Sequence, residues 1–105
     1  MTRVIVNPGV CGMSSTIEVS RVDRKQVSLR IETGCDIVRE IGDQLALMEL
    51  RYIFKSPAES IVYEYASKAG AHYACPIPMA ILKAAEVETG MALPRPVSLA
   101  FEPVT

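Results

Sequence analysis

The sequence predicts an α+β domain: a small, mostly antiparallel sheet in the order β-β-β-α-α-α-β, with its helices packed on one face. Three observations predict it. Apolar and polar residues alternate with period two in two neighbouring segments, 15–22 and 27–32, joined by the polar turn Asp23, Arg24 and Lys25. That is the pattern of a hairpin with one buried face. Further along, three stretches carry apolar residues at three- and four-residue spacing, as helices with one covered side do. Strands come before helices rather than alternating with them, which favours one sheet with helices gathered on a single side.

Each element has its own signal. Residues 3–7 are a short apolar run closed by Asn7, Pro8 and Gly9, a turn signature. Gly9, Val10, Cys11, Gly12 and Met13 then make a tight, glycine-flanked loop. In the next strand Ile17 and Val19 oppose Thr16, Glu18 and Ser20; in its partner Val27, Leu29 and Ile31 oppose Ser28, Arg30 and Glu32. Gly34 ends that strand, and Cys35 and Asp36 open a helix. Its stripe of Ile37, Val38, Ile41, Leu45 and Met48 carries it to about Leu50, with Gly42 tolerated inside.

A second helix starts with Ser56 as N-cap, Pro57 at the first helical position and Glu59 as capping-box partner. Ile61, Val62, Tyr65 and Ala66 form its stripe and Gly70 ends it. Cys75, Pro76, Ile77 and Pro78 begin a third helix, which reaches about Glu88 before Gly90. Pro94 and Pro96 forbid helix and lead into a last strand over residues 97–102, with Val97, Leu99 and Phe101 on one face.

The 105 residues make a single domain, residues 1–105, large enough to bury roughly two-thirds of the surface of its unfolded chain. Hydrophobic residues are 50% of the total. Surplus apolar surface of this kind is commonly covered by a second copy, so a homo-oligomer is expected. The 11 basic and 12 acidic residues nearly cancel, and Arg21, Arg24 and Lys25 form only a turn-side cluster; no nucleic-acid partner is expected. No apolar run approaches the ~18–20 residues that span a bilayer, and the first residues read as a strand rather than a secretory leader. The expectation is a cytoplasmic protein with no membrane partner and with its thiols reduced. Three cysteines, an odd number, also argue against a disulfide framework.

Those cysteines are the sequence's best candidates for chemistry. No compact ligand spacing joins them, but chain direction does. If successive elements reverse direction, as short connections favour, Cys11 after the first strand, Cys35 after the third and Cys75 before the last helix all fall at one end of the sheet. Cys35 and Cys75 sit at predicted helix starts, where free N–H groups and the helix dipole favour a thiolate. Cys11 lies among glycines that let backbone N–H groups approach a sulfur or an anion. His72, the only histidine, completes a Cys₃His set that suits zinc; three thiolates alone suit an iron–sulfur centre with one non-cysteine position. Shared ligation requires the sulfurs within roughly 4 Å of one another.

Against this stands the ordinary role of free cysteine as a small buried hydrophobe. His72 reads more simply as a loop or cap residue, Asp36 as a first-turn helix acid and Lys83 as a solvated charge. Tyr52, Tyr63, Tyr65 and Tyr73 suit core or interface positions. No phosphate loop, dinucleotide fingerprint or Gly-x-Ser-x-Gly elbow occurs.

Cys75, Pro76, Ile77 and Pro78, followed by Ile81, Leu82 and Lys83, locally resemble the Cys-Pro-x-Pro helix start of TusA/SirA-like sulfur carriers. The resemblance covers about fifteen residues; in that family the motif follows the first strand, whereas here it comes after two helices. It implies a catalytic Cys75 carrying a persulfide, and nothing for the other cysteines.

Three functions therefore remain open on the sequence. The leading one is a small cytosolic metal- or iron–sulfur-binding protein using Cys11, Cys35, Cys75 and His72, with an iron–sulfur cluster or zinc as cofactor and a protein partner for metal or sulfur transfer. The second is a thiol or persulfide carrier centred on Cys75. The third is a non-catalytic oligomeric binding module whose cysteines fill the core.

Overall fold

A computed structural model describes residues 1–104. Four strands, β1 (Thr2–Val6), β2 (Ser15–Arg21), β3 (Gln26–Thr33) and β4 (Leu47–Glu49), form one antiparallel sheet in the order β1-β2-β3-β4. The helices are α1 (Asp36–Gln44), the single turn α2 (Leu50–Ile53), α3 (Ile61–Lys68) and α4 (Ile77–Glu88). The fold class is the expected one: a small α+β domain built on an antiparallel sheet.

Register explains the one-sided layering. Val4 pairs with Ile17, and Ile17 with Ile31; Val19 pairs with Leu29, and Val27 with Met48. These side chains share one face of the pleat, because cross-strand partners point the same way. Ile17, Val19, Val27 and Met48 are fully buried there, against Ile41 of α1 and Leu45 at its end, Val62 of α3, and Ile77 and Ile81 of α4. The opposite face carries Arg3, Glu18 and Arg30 in one cross-strand row, with Arg3 Nε 2.8 Å from Glu18 Oε2.

The first predicted helix is shorter than its pattern. It stops at Gln44, and Leu47–Glu49 instead pairs with Gln26–Ser28 as β4. Leu45 and Met48 are both buried, so three-residue spacing satisfied the core equally well from a helix end and a strand. The backbone decides: the Leu29 N–H donates to the Ala46 carbonyl at 2.9 Å, and the Leu50 N–H donates to that of Lys25 at 2.8 Å. Gly42 has a packing reason. A Cβ there would lie 3.3 Å from the Ile31 side chain, so glycine permits the close approach of α1 to β3.

The second predicted helix starts four residues later than Ser56. Residues 56–60 form a turn in which the N–H groups of Glu59 and Ser60 donate to the Ser56 carbonyl. The N-cap is Ser60, which is buried. Its Oγ donates to the Ile53 carbonyl at 2.7 Å and accepts from the Val62 N–H at 3.3 Å. One hydroxyl thus joins the end of α2 to the start of α3.

The third helix matches its expected span. Two donors after it close its C-terminus: Gly90 N–H to the Val87 carbonyl at 3.1 Å and Met91 N–H to that of Glu86 at 2.8 Å. This is a Schellman motif, and it requires the positive φ of 79° that Gly90 adopts. Glu88 fixes the same end to the sheet, accepting from Thr2 Oγ1 and from the Arg21 N–H, each at 2.8 Å, with the Met1 amino group 3.3 Å away. Burial pushes this carboxyl up, but the Thr2 and Arg21 hydrogen bonds and the amino terminus outweigh it and hold it below its ordinary value.

The predicted strand over residues 97–102 does not form. No backbone hydrogen bond joins residues 96–104 to the rest of the described chain, and every residue from Gly90 to Val104 is exposed. Sheet order ends instead at β1 on one side and β4 on the other.

Ser60→Ala is expected to cost about 1–2 kcal/mol in urea unfolding, because it removes the cap of α3 and one of the two donors to the Ile53 carbonyl, the Lys55 N–H remaining at 2.9 Å. Glu88 has a depressed folded-state pKa, so its contribution is present at neutral pH and is lost as pH falls through that lowered value. Glu88→Gln is expected to lower stability at neutral pH by about 1 kcal/mol and to converge with the parent protein in acid. A pH series of unfolding free energies checks both the size and the sign.

Candidate functional site

Topology places all the sequence-nominated residues on connections at one end of the domain. Because Glu88 lies beside Thr2 and Arg21, α4 runs from the far end of β1 back to its start. Cys75, just before α4, is therefore at the end where β1 finishes, where the loop with Cys11 lies and where β3 delivers Cys35. His72 lies on the connection into α4.

The local settings of these residues differ. Cys11 is exposed at the tip of a turn in which the Gly12 N–H donates to the Gly9 carbonyl at 2.9 Å. Cys35 is the N-cap of α1, but its side chain makes no capping bond. Its N–H donates to Thr33 Oγ1 at 3.1 Å, and that hydroxyl also accepts from the buried Ser15 Oγ at 2.8 Å. Cys75 donates its N–H to the His72 carbonyl at 3.0 Å. Both Cys35 and Cys75 are half-buried and pack against the margin of the hydrophobic core. His72 is exposed, with its ring centroid 4.2 Å from that of Tyr73.

All three thiols are free. Among the described residues, no three His, Cys, Asp or Glu side chains stand where they would hold one metal ion. The residues expected to form a Cys₃His site share an end of the fold, therefore, without being gathered into a ligand set. The Cys-Pro-x-Pro segment does lead directly into a helix, with Pro78 in its first turn.

Two open depressions mark the surface elsewhere. One is lined by Arg24, Lys25, Glu49, Leu50 and Arg51, the other by Glu40, Gln44, Tyr65, Lys68 and Ala69. Neither contains a cysteine. Beside the first, the Arg51 guanidinium lies 4.6 Å over the Tyr52 ring and Arg51 Nε is 2.9 Å from Glu49 Oε2, so its charge is already engaged. No helix is long and apolar enough to cross a membrane among the described residues.

A second region of the surface stands out, the segment after α4. Leu99 is 80% exposed and Phe101 92%, and Met91, Leu93, Val97 and Val104 are exposed with them. The signal for it was present in the sequence as strand-like alternation; what the alternation does not encode is the partner.

The chain belongs to the Family of unknown function (DUF6951), whose model matches residues 2–101 and so includes all three cysteines and the apolar segment through Phe101. No curated protein and no solved structure matches the chain.

Proposed function

We propose that this member of the family is a non-catalytic, homo-oligomeric binding module of the cytoplasm, with Cys35 and Cys75 serving as core-margin packing. The observation that carries the reading is the segment 91–104. Val97, Leu99 and Phe101 alternate with Ser98 and Ala100 as in a strand with one apolar face, yet the domain offers them no partner. Contiguous exposed apolar surface of this kind marks an interaction site. The family match extends through most of the segment, which therefore belongs to the unit the family shares.

A second reading keeps the thiols as ligands. It is supported by the common end of the fold at which Cys11, Cys35 and Cys75 sit. It requires the exposed loop with Cys11 to close over the other two sulfurs around zinc or an iron–sulfur cluster, which a partner protein would supply or receive. The persulfide role of Cys75 has only its helix-start geometry in support.

Light scattering over a range of protein concentrations is expected to show self-association. Replacing both Leu99 and Phe101 by Asp is expected to weaken it by at least about tenfold, with the melting temperature unchanged at concentrations where the parent is monomeric. A parent protein that stays monomeric throughout that range defeats the reading. The two readings also separate by thiol chemistry. Anaerobically purified protein is expected to hold no stoichiometric zinc or iron, with Cys11 alkylated fastest and Cys35 and Cys75 slower because they are half-buried. About one metal equivalent per chain, with all three thiols protected until a chelator is added, selects the ligand reading instead.

A further inference from the structure

We propose that residues 97–101 of one copy add as a fifth strand to the free edge of β1 in a second copy, reciprocally, in a two-fold pair. This rests on the self-association reading and names the surface that completes it. Four observations carry it.

The first is an unpaired edge. β1 bonds only to β2 and lies at the limit of the sheet, so one side of its backbone presents donors and acceptors with no neighbour, a template for a further strand. β4, the other edge, is only 3 residues long, whereas β1 has 5. Residues 97–101 match β1 in length.

The second is side-chain pattern. Beside β1, the row Val97, Leu99 and Phe101 continues the inner apolar layer past Val4 and Val6. Ser98 and Ala100 then join Arg3 and Ile5 on the outer face. The strand adds to the core side without placing a charge in it.

The third is delivery. Glu88 seats the end of α4 beside Thr2, so the segment leaves the domain at the corner where β1 begins. Pro94 and Pro96 forbid helix, and the Arg95 N–H donates to the Leu93 carbonyl at 2.8 Å, so the chain turns at Pro94 before residues 97–101. The molecule measures 51 Å along its longest axis against 29 and 25 Å across, and Val97 and Leu99 stand away from their own sheet, exposed.

The fourth is closure. Tail and edge lie on the same chain and start from the same corner. A two-fold exchange therefore satisfies both copies at once and leaves no open end for a fibre.

Hydrogen–deuterium exchange on the full chain, at concentrations below and above its association midpoint, tests the proposal. Above the midpoint, the alternate amides of residues 97–101 that face β1 and the edge-facing amides of β1 are expected to slow together by at least tenfold. Leu99→Pro, in a segment that makes no backbone hydrogen bond to the rest of the described chain, is expected to abolish both protections and the dimer while leaving the melting temperature measured below the association midpoint unchanged. A dimer that protects the tail but leaves β1 exchange unaltered overturns this seat and retains self-association. Tail and β1 protection in a monomer at every concentration overturns the second copy as partner. A chain that neither associates nor protects the tail overturns both this proposal and the reading beneath it.

Discussion

The structure depends on α4 lying against one face of the sheet. Strands β1 and β2 expose an inner row of Val4, Val6, Ile17 and Val19, and α4 covers it with Ile77, Ala80, Ile81, Ala84 and Ala85, all buried. The alanines matter as much as the isoleucines, because a small side chain at every turn lets the helix axis come close to the pleat. The far face, with its Arg3, Glu18 and Arg30 row, needs no cover. Prolines set where α4 begins, and the Gly90 motif with the Glu88 clamp sets where it ends. Twelve helical residues span about 18 Å, so one helix separates the two candidate regions: thiols at its start, apolar segment at its end.

What could be read from the sequence follows from which physical signals are local. The alternation of Ile17 and Val19, and of Val27, Leu29 and Ile31, needs only a pleat with one dry face, and it placed both strands of the hairpin. The prolines and Gly90 placed α4. The misread elements are those that tertiary hydrogen bonds decide. Met48 suited a helix stripe until β3 offered an edge, and then Leu47–Glu49 paired with it. Ser56 and Glu59 carried a capping signature, yet residues 56–60 form a turn and the buried Ser60 hydroxyl is the cap, also donating to the Ile53 carbonyl. A capping pattern states a preference that burial can outbid.

The cysteines show the same limit at the level of a site. Chain direction places residues at an end of a fold, and Cys11, Cys35 and Cys75 lie at one end here. Direction says nothing about lateral order across a sheet. Cys11 follows the edge strand β1 on an exposed turn, whereas Cys35 and Cys75 pack against the margin of the core just before two different helices. Sharing an end is a weaker condition than sharing a coordination sphere, which demands sulfurs about 4 Å apart.

The apolar segment poses the converse problem, a strand pattern with no strand beside it. Each fully covered Val, Leu or Phe contributes roughly 1.5–3 kcal/mol. In the proposed exchange, two tails would cover six such side chains, on the order of 10–20 kcal/mol as an upper bound. Association costs on the order of 4–15 kcal/mol in lost freedom alone, and ordering the two tails adds about 1–2 kcal/mol for each residue fixed. Apolar contact by itself therefore does not assure a stable pair. The proposed pair also needs the backbone hydrogen bonds that a free edge supplies. That requirement is what directs the proposal to the unpaired side of β1, the longer of the two sheet edges, rather than to another apolar patch.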